Sequence, residues 1–176
     1  MRHIAPLALA LAGAVSAHAS LEVSAQARGA IVFVSQRPPR EVGNIRAWAS
    51  GHHVTAYNED TTSHVWRVQF MAFCSRPPRS AEVTLVFYKL EGRTRRYISN
   101  ESITLSSPTD SVFYHNTVLH RSPDEFQPME NYEVAIAVSD ARGQTEIARG
   151  RIGLVGQVER HSGVVDFTGA NGPTVH

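Results

Sequence analysis

The sequence predicts an all-β protein built as an antiparallel sandwich. Three observations predict it. Nearly every apolar segment repeats at every second residue rather than at the helical period, these segments have strand length and β-branched or aromatic content, and the stretches between them are rich in Pro, Gly, Ser, Asn and Asp. No helix of three turns competes with that pattern.

In chain order the expected strands are "AIVFVS" (Ala30 to Ser35), "NIRAWAS" (Asn44 to Ser50), "HVTAYN" (His53 to Asn58), "HVWRVQFMAFC" (His64 to Cys74) and "EVTLVFYKL" (Glu82 to Leu90). They continue with "RRYISNESITL" (Arg95 to Leu105), "SVFYHNTVLH" (Ser111 to His120), "NYEVAIAVS" (Asn131 to Ser139) and "TEIARGRIGLV" (Thr145 to Val155). The separators "RPPR" (Arg37 to Arg40), "RPPRS" (Arg76 to Ser80), "EG" (Glu91-Gly92), "SSPTD" (Ser106 to Asp110) and "SPDEFQP" (Ser122 to Pro128) break strands or form turns. Two prolines in a row stop both neighbouring strands from extending, so each "RPPR" is expected to be a turn or linker rather than a polyproline ligand.

In the fourth segment Trp66, Val68, Phe70, Ala72 and Cys74 fall on one side at period two, which makes Trp66 a core aromatic and Cys74 a buried small thiol. Cys74 is the only cysteine, so no intramolecular disulfide forms and packing alone must hold the core.

The segment from Asn131 places Tyr132, Val134, Ile136 and Val138 on one face and Glu133, Ala135, Ala137 and Ser139 on the other, with the second face expected to be wet or turned toward another subunit. A tyrosine opening such a strand buries its ring while its hydroxyl ties the incoming loop to the sheet. Phe126, Pro128, Tyr132, Val134, Ile136 and Gly143 stand where the last hairpin of fibronectin type III and immunoglobulin-like domains carries its apolar residue, Pro, Tyr-x-apolar-x-apolar and Gly turn; the chain resembles that superfamily. The resemblance implies a sandwich fold and carries no function with it. Val134 stands where an antibody-type domain has its second cysteine, so the resemblance is to the general sandwich and not to that branch.

The chain begins with a short positive start, an apolar stretch from Ile4 to Val15 and Ala17-His18-Ala19, a pattern expected of a secretory signal peptide over residues 1–19. Pro6 and Gly13 interrupt a segment already shorter than the about 20 apolar residues a bilayer-crossing helix needs. The expected organisation is a signal peptide at 1–19, an N-terminal extension with strand-like segments at 20–50, a sandwich domain at 51–156 and a Gly-containing tail at 157–176. In that tail Val164, Val165 and Phe167 form a short apolar patch. Either extension is expected to add a strand to its own sheet or to a neighbour's edge.

Charge excludes some partners. Without Arg2, the 17 basic residues come level with the 16 acidic ones, so bulk charge implies neither nucleic acid nor an anionic membrane. Among the histidines, His52 and His53 are adjacent and His115 and His120 are five apart, so on extended backbone each pair points to opposite faces. A zinc site would need His53, His64 or His115 to converge from distant strands, and no HExxH or CxxC spacing supports one. Neither GxSxG nor SxxK is present, and Glu59-Asp60 and Asp124-Glu125 read as polar turns. Arg93, Arg95 and Arg96 suit an anionic sugar or acidic protein, or simply the protection of a strand edge.

The sequence therefore names no catalytic, cofactor-binding or metal-ligating residue and calls for no cofactor. The expected function is that of a noncatalytic binding, adaptor, chaperone-like or surface-assembly protein, periplasmic or extracellular, with no membrane span after leader removal. Its expected partner is another exported or envelope protein, reached by strand addition. The alternative is a carbohydrate-binding accessory module, or an enzyme with a site built from loops.

Overall fold

The computed structural model describes residues 28–141 and 143–156. The signal peptide expected at 1–19, the rest of the chain up to residue 27 and the tail from 157 lie outside the described residues. The elements are β1 (Ala30–Phe33), α1 (Ile45–Gly51), β2 (Ala56–Asn58), β3 (Val65–Phe73), β4 (Glu82–Glu91), β5 (Thr94–Thr104), β6 (Val112–His120), β7 (Glu130–Asp140) and β8 (Gly143–Val155).

The strands form one strongly curled sheet in the order β5-β4-β7-β8-β1-β3-β6, with β2 joined to β8. The curl brings the inner faces of both halves onto one core. Trp66, Phe70 and Leu119 contribute from one half, and Leu85, Phe87, Tyr132 and Ile136 from the other. Trp66 is fully buried and donates its indole N–H to the Val155 carbonyl at 2.9 Å, which ties β3 to the end of β8.

The sheet is mixed, which corrects the wholly antiparallel expectation. β8 pairs parallel with β1 at Arg149 and Ala30, then parallel with β2 from Gly153 to Val155. β1 and β2 take successive stretches of β8, and the chain between them passes through α1. The handover needs a close approach: a Cβ on Gly150 would stand 2.4 Å from the Ile31 carbonyl oxygen, so only glycine fits. β1 itself pairs antiparallel with β3, from Ala30 opposite Phe73 to Phe33 opposite Phe70, so this part of the N-terminal segment adds a strand to its own sheet.

The strand expected at Asn44 to Ser50 is helical instead. Asn44 keeps extended backbone and its side-chain oxygen accepts the Ala47 N–H at 3.0 Å, capping α1. Ile45, Trp48 and Ala49 follow helical spacing and pack on Val32, Val34, Met71 and Phe73, a second, smaller core on the outer face of the sheet. Of "HVTAYN", only Ala56–Asn58 is strand.

The turns follow the chemistry read from the sequence. Glu91 pairs with Thr94 across a two-residue hairpin in which Gly92 takes φ 63. Each proline pair lies in a connection, the first between β1 and α1 and the second between β3 and β4.

Candidate functional site

β5 and β6 are the two ends of the sheet order, so among the described residues each has one unpaired edge. Glu101 on β5 stands opposite Leu85 and therefore faces inward, while His115 on β6 stands opposite Phe70 and faces inward too. The two strands meet there through side chains. Thr117 donates its hydroxyl to Glu101 Oε2 at 2.7 Å, and Glu101 Oε1 lies 3.6 Å from His115 Nε2. The imidazole packs 5.6 Å from the Phe70 ring, its Nε2 is buried without a hydrogen-bond partner among the described residues, and burial pushes its pKa down against the opposing pull of Glu101.

Beside this contact a cavity of about 240 Å³ is lined by Ile103, Leu105, Asp110, Phe113 and His115 among others. That is below the roughly 300–1,000 Å³ of sites that enclose a drug-sized ligand.

The two edges differ in chemistry. β5 carries Arg95, Arg96 and Glu101, and its pairing with β4 shifts register between Phe87 and Tyr88. Charges and bulges are the devices that discourage edge-to-edge pairing. β6 has neither. Its nine residues, VFYHNTVLH, contain no Asp, Glu, Lys, Arg, Pro or Gly, and pair with β3 in one unbroken register from Val65–His120 to Phe73–Val112.

The backbone bonds at both ends of β6 tell which groups face outward. Cys74 N–H donates to the Ser111 carbonyl at 2.7 Å and Arg121 N–H to the His64 carbonyl at 3.0 Å, so the odd-numbered residues between them bond to β3. Val112, Tyr114, Asn116 and Val118 therefore turn N–H and C=O to the free edge. At its far end the edge is closed by a bridge between Arg121 and Phe126. Asn116 is exposed, as is Val118 at 39%.

Tyr132, the residue most conspicuous in the sequence, lies in the core and away from this rim. Its ring is fully buried, 5.4 Å from Phe126, and its hydroxyl bonds to the backbone of the incoming loop. Cys74 is buried and free, its thiol pushed up to about 11 by burial. A second pinning tyrosine went unnoticed in the sequence: the Tyr57 hydroxyl lies 2.5 Å from both the Val34 and Gln69 carbonyls and accepts the Gln69 N–H at 3.0 Å. Burial raises its pKa to about 12.

The face of β7 expected to be wet is closed. Glu133, Ala135 and Ala137 are buried because Tyr88 and Val86 on β4 and Arg151 and Arg149 on β8 stand directly opposite and enclose the small residues. Arg95 donates to Glu133 at 2.9 Å and to Glu146 at 2.7 Å, with its guanidinium 4.3 Å from the Tyr88 ring centre, and Arg151 donates to Glu133 at 3.3 Å. Arg96 donates to Glu91 at 2.9 Å. Arg95 and Arg96 thus have intramolecular carboxylate partners, while Arg93 is exposed in the hairpin.

The carboxylate pair Glu59-Asp60 is split. The Glu59 side chain is buried, with Oε1 3.1 Å from His64 Nδ1 and 3.3 Å from an Arg121 nitrogen, whereas Asp60 is exposed and accepts the N–H groups of Thr62 and Ser63. Hydrogen bonds from Ser63 and Thr62 hold the Asp60 carboxyl below its ordinary pKa. Asp124 and Glu125 sit exposed in the loop before β7. His52 Nδ1 lies 2.8 Å from the Trp48 carbonyl, with its ring stacked on the indole, and His53 is bridged to Val34. His120 is exposed. Among the described residues no three His, Cys, Asp or Glu side chains converge on a metal-sized point, and no helix is long and apolar enough to cross a membrane.

No protein-family model matches the chain, and no curated protein matches it.

Proposed function

We propose that this chain is an exported, noncatalytic module of the immunoglobulin and fibronectin III-like sandwich type, and that it acts by pairing its free sheet edge with a strand from another exported polypeptide. The sandwich reading draws support from the strand order, in which β5-β4-β7-β8 and β1-β3-β6 form the two facing halves, and from the Tyr132 hydroxyl bonded to the loop before its strand. Export rests on the leader-like residues 1–19.

The observation that carries the functional reading is the asymmetry of the edges: β5 is charged and shifted in register, while β6 is uncharged and regular. An extended strand bound there gains main-chain hydrogen bonds without reorganising the core. The test is capture of partners by the mature protein from its native envelope, run beside a glycan panel read by thermal shift. Protein association lost when β6 is altered supports the reading. A glycan that raises the melting temperature, with no protein association at any concentration, overturns it.

A further inference from the structure

Resting on that reading, we infer that the strand received by β6 is the β6 of a second copy, paired antiparallel about a two-fold axis at Asn116. The sequence of the strand carries this. With Asn116 on the axis, Tyr114 falls opposite Val118, Phe113 opposite Leu119, and His115 opposite Thr117. From Phe113 to Leu119 apolar residues meet apolar ones and polar residues meet each other, so this central stretch is complementary to itself, with Val112 opposite His120 only at its ends. Tyr114 against Val118 is an aromatic and β-branched pair of the kind that stabilises neighbouring strands.

The backbone parity agrees independently. An antiparallel pair centred on a residue whose N–H and C=O face the seam exchanges two hydrogen bonds at that residue, and again at every second residue on either side. Asn116 is such a residue, because Ser111 and Arg121 fix the odd-numbered positions toward β3. A two-fold axis at His115 or Thr117 would instead place groups bonded to β3 at the centre and oppose Asn116 to Tyr114 or to Val118. The registration at Asn116 satisfies the outward groups of Tyr114, Asn116 and Val118 on both copies, about six hydrogen bonds. It stops where the Arg121–Phe126 bridge closes the edge. Partner choice follows from charge as well: β6 itself offers no carboxylate, Lys or Arg to pair with a charged guest strand, and the nearest charge, Arg37, is already placed over the Tyr114 ring of its own chain at 5.7 Å.

Sedimentation velocity of the mature chain between about 1 and 300 µM tests this, with dissociation constants compared for wild type and two variants. Asn116→Pro removes an N–H that faces the seam and leaves the β3 ladder intact, as proline does on edge strands. Asn116→Asp sets two carboxylates opposite each other on the axis while keeping the side-chain shape. The expected result is a wild-type dimer whose dissociation constant rises at least about fivefold in Asn116→Asp and further in Asn116→Pro. If Asn116→Pro does not fold, Asn116→Asp decides alone. A wild type that stays monomeric over the whole range overturns the inference, as does a dimer unchanged by the substitution. A monomer that captures a different envelope protein through β6 overturns the second copy as partner and leaves the strand-addition function standing.

Discussion

The Tyr132 hydroxyl oxygen lies 2.8 Å from the Gln127 amide nitrogen, five residues upstream, and accepts its hydrogen while donating its own to the Glu125 carbonyl at 3.2 Å. One side chain thereby satisfies two backbone groups of the loop that crosses from β6 to β7. Phe126, between those two residues, drops into the core against Phe87 and the Tyr132 ring at centroid distances of 5.3 and 5.4 Å. The tyrosine is a structural pin, and its phenol has no opening to a ligand.

Replacing Tyr132 with Phe keeps the ring and strands the Gln127 N–H and the Glu125 carbonyl. The expected loss is about 1–3 kcal/mol in urea unfolding, with Tm lower by roughly 3–10 °C. The association proposed for β6 is expected to stay unchanged, because the loop lies beyond the outward-facing stretch of that edge. A variant as stable as wild type removes the pin from the account.

Gly150 and Gly51 make a contrast within one residue type. A methyl group on Gly150 meets the Ile31 carbonyl at 2.4 Å and the Ile31 Cβ at 2.9 Å, whereas one on Gly51 meets nothing within 4 Å. Both obstacles at Gly150 belong to backbone or to the stem of a side chain in a paired strand, so relief requires parting β8 from β1. Gly150→Ala is expected to cost about 2 kcal/mol or more, and Gly51→Ala, at the end of α1, to be neutral or stabilising by up to about 1 kcal/mol. Equal stabilities in chemical denaturation would show that β1 is free to move off β8.

What the sequence disclosed and what it withheld follow from the range of the interactions. The period-two runs and the turns were legible because pleat and turn chemistry act over a few residues, and Tyr132 because its loop partners are five and seven residues away. α1 was missed although Asn44, Ile45, Trp48 and Ala49 carried a cap and helical spacing, since seven residues give too short a window for the period to stand out. The closed face of β7 was misjudged because alanine fits either side of a sheet, and what decides is Arg149, Arg151, Val86 and Tyr88 on other strands. The contact of Glu101 with Thr117 and the parity of the β6 backbone depend on pairing partners that no local pattern names.

Arg95 and Arg96 are neighbours with different surroundings. Arg95 reaches Glu133, whose side chain is 7% exposed, and Glu146, whereas Arg96 pairs with Glu91 where both side chains are about half exposed. Arg95→Met leaves Glu133 with Arg151 alone in an enclosed setting and is expected to destabilise by about 1–2 kcal/mol. Arg96→Met removes a solvated pair and is expected to stay within about 0.5 kcal/mol. Denaturation at low and at 0.5 M salt checks both. Equal effects of the two substitutions would mean that Glu133 gains nothing from its enclosure.

His115 gives the fold a pH response whose sign can be worked out. Burial lowers its folded-state pKa beneath the ordinary value of 6.5, with Glu101 opposing the shift. The unfolded chain then binds more protons than the native one between those two values, so stability is held above pH 6.5 and falls as the pH drops toward the folded pKa. His53 is shifted in the same direction by burial and adds to the trend, while Asp60, held below its ordinary 3.8, contributes only at lower pH. His115→Gln keeps a polar side chain beside Glu101 and Phe70 but removes the titrating group. Urea unfolding at pH 7.5 and pH 5.0 is expected to show a loss of stability in wild type that is smaller in the variant, with the remainder assigned to His53 by the double substitution with His53→Gln. An equal loss in wild type and His115→Gln would place the acid sensitivity elsewhere in the sheet, because the buried Nε2 would then bear no part of the cost of gaining its proton.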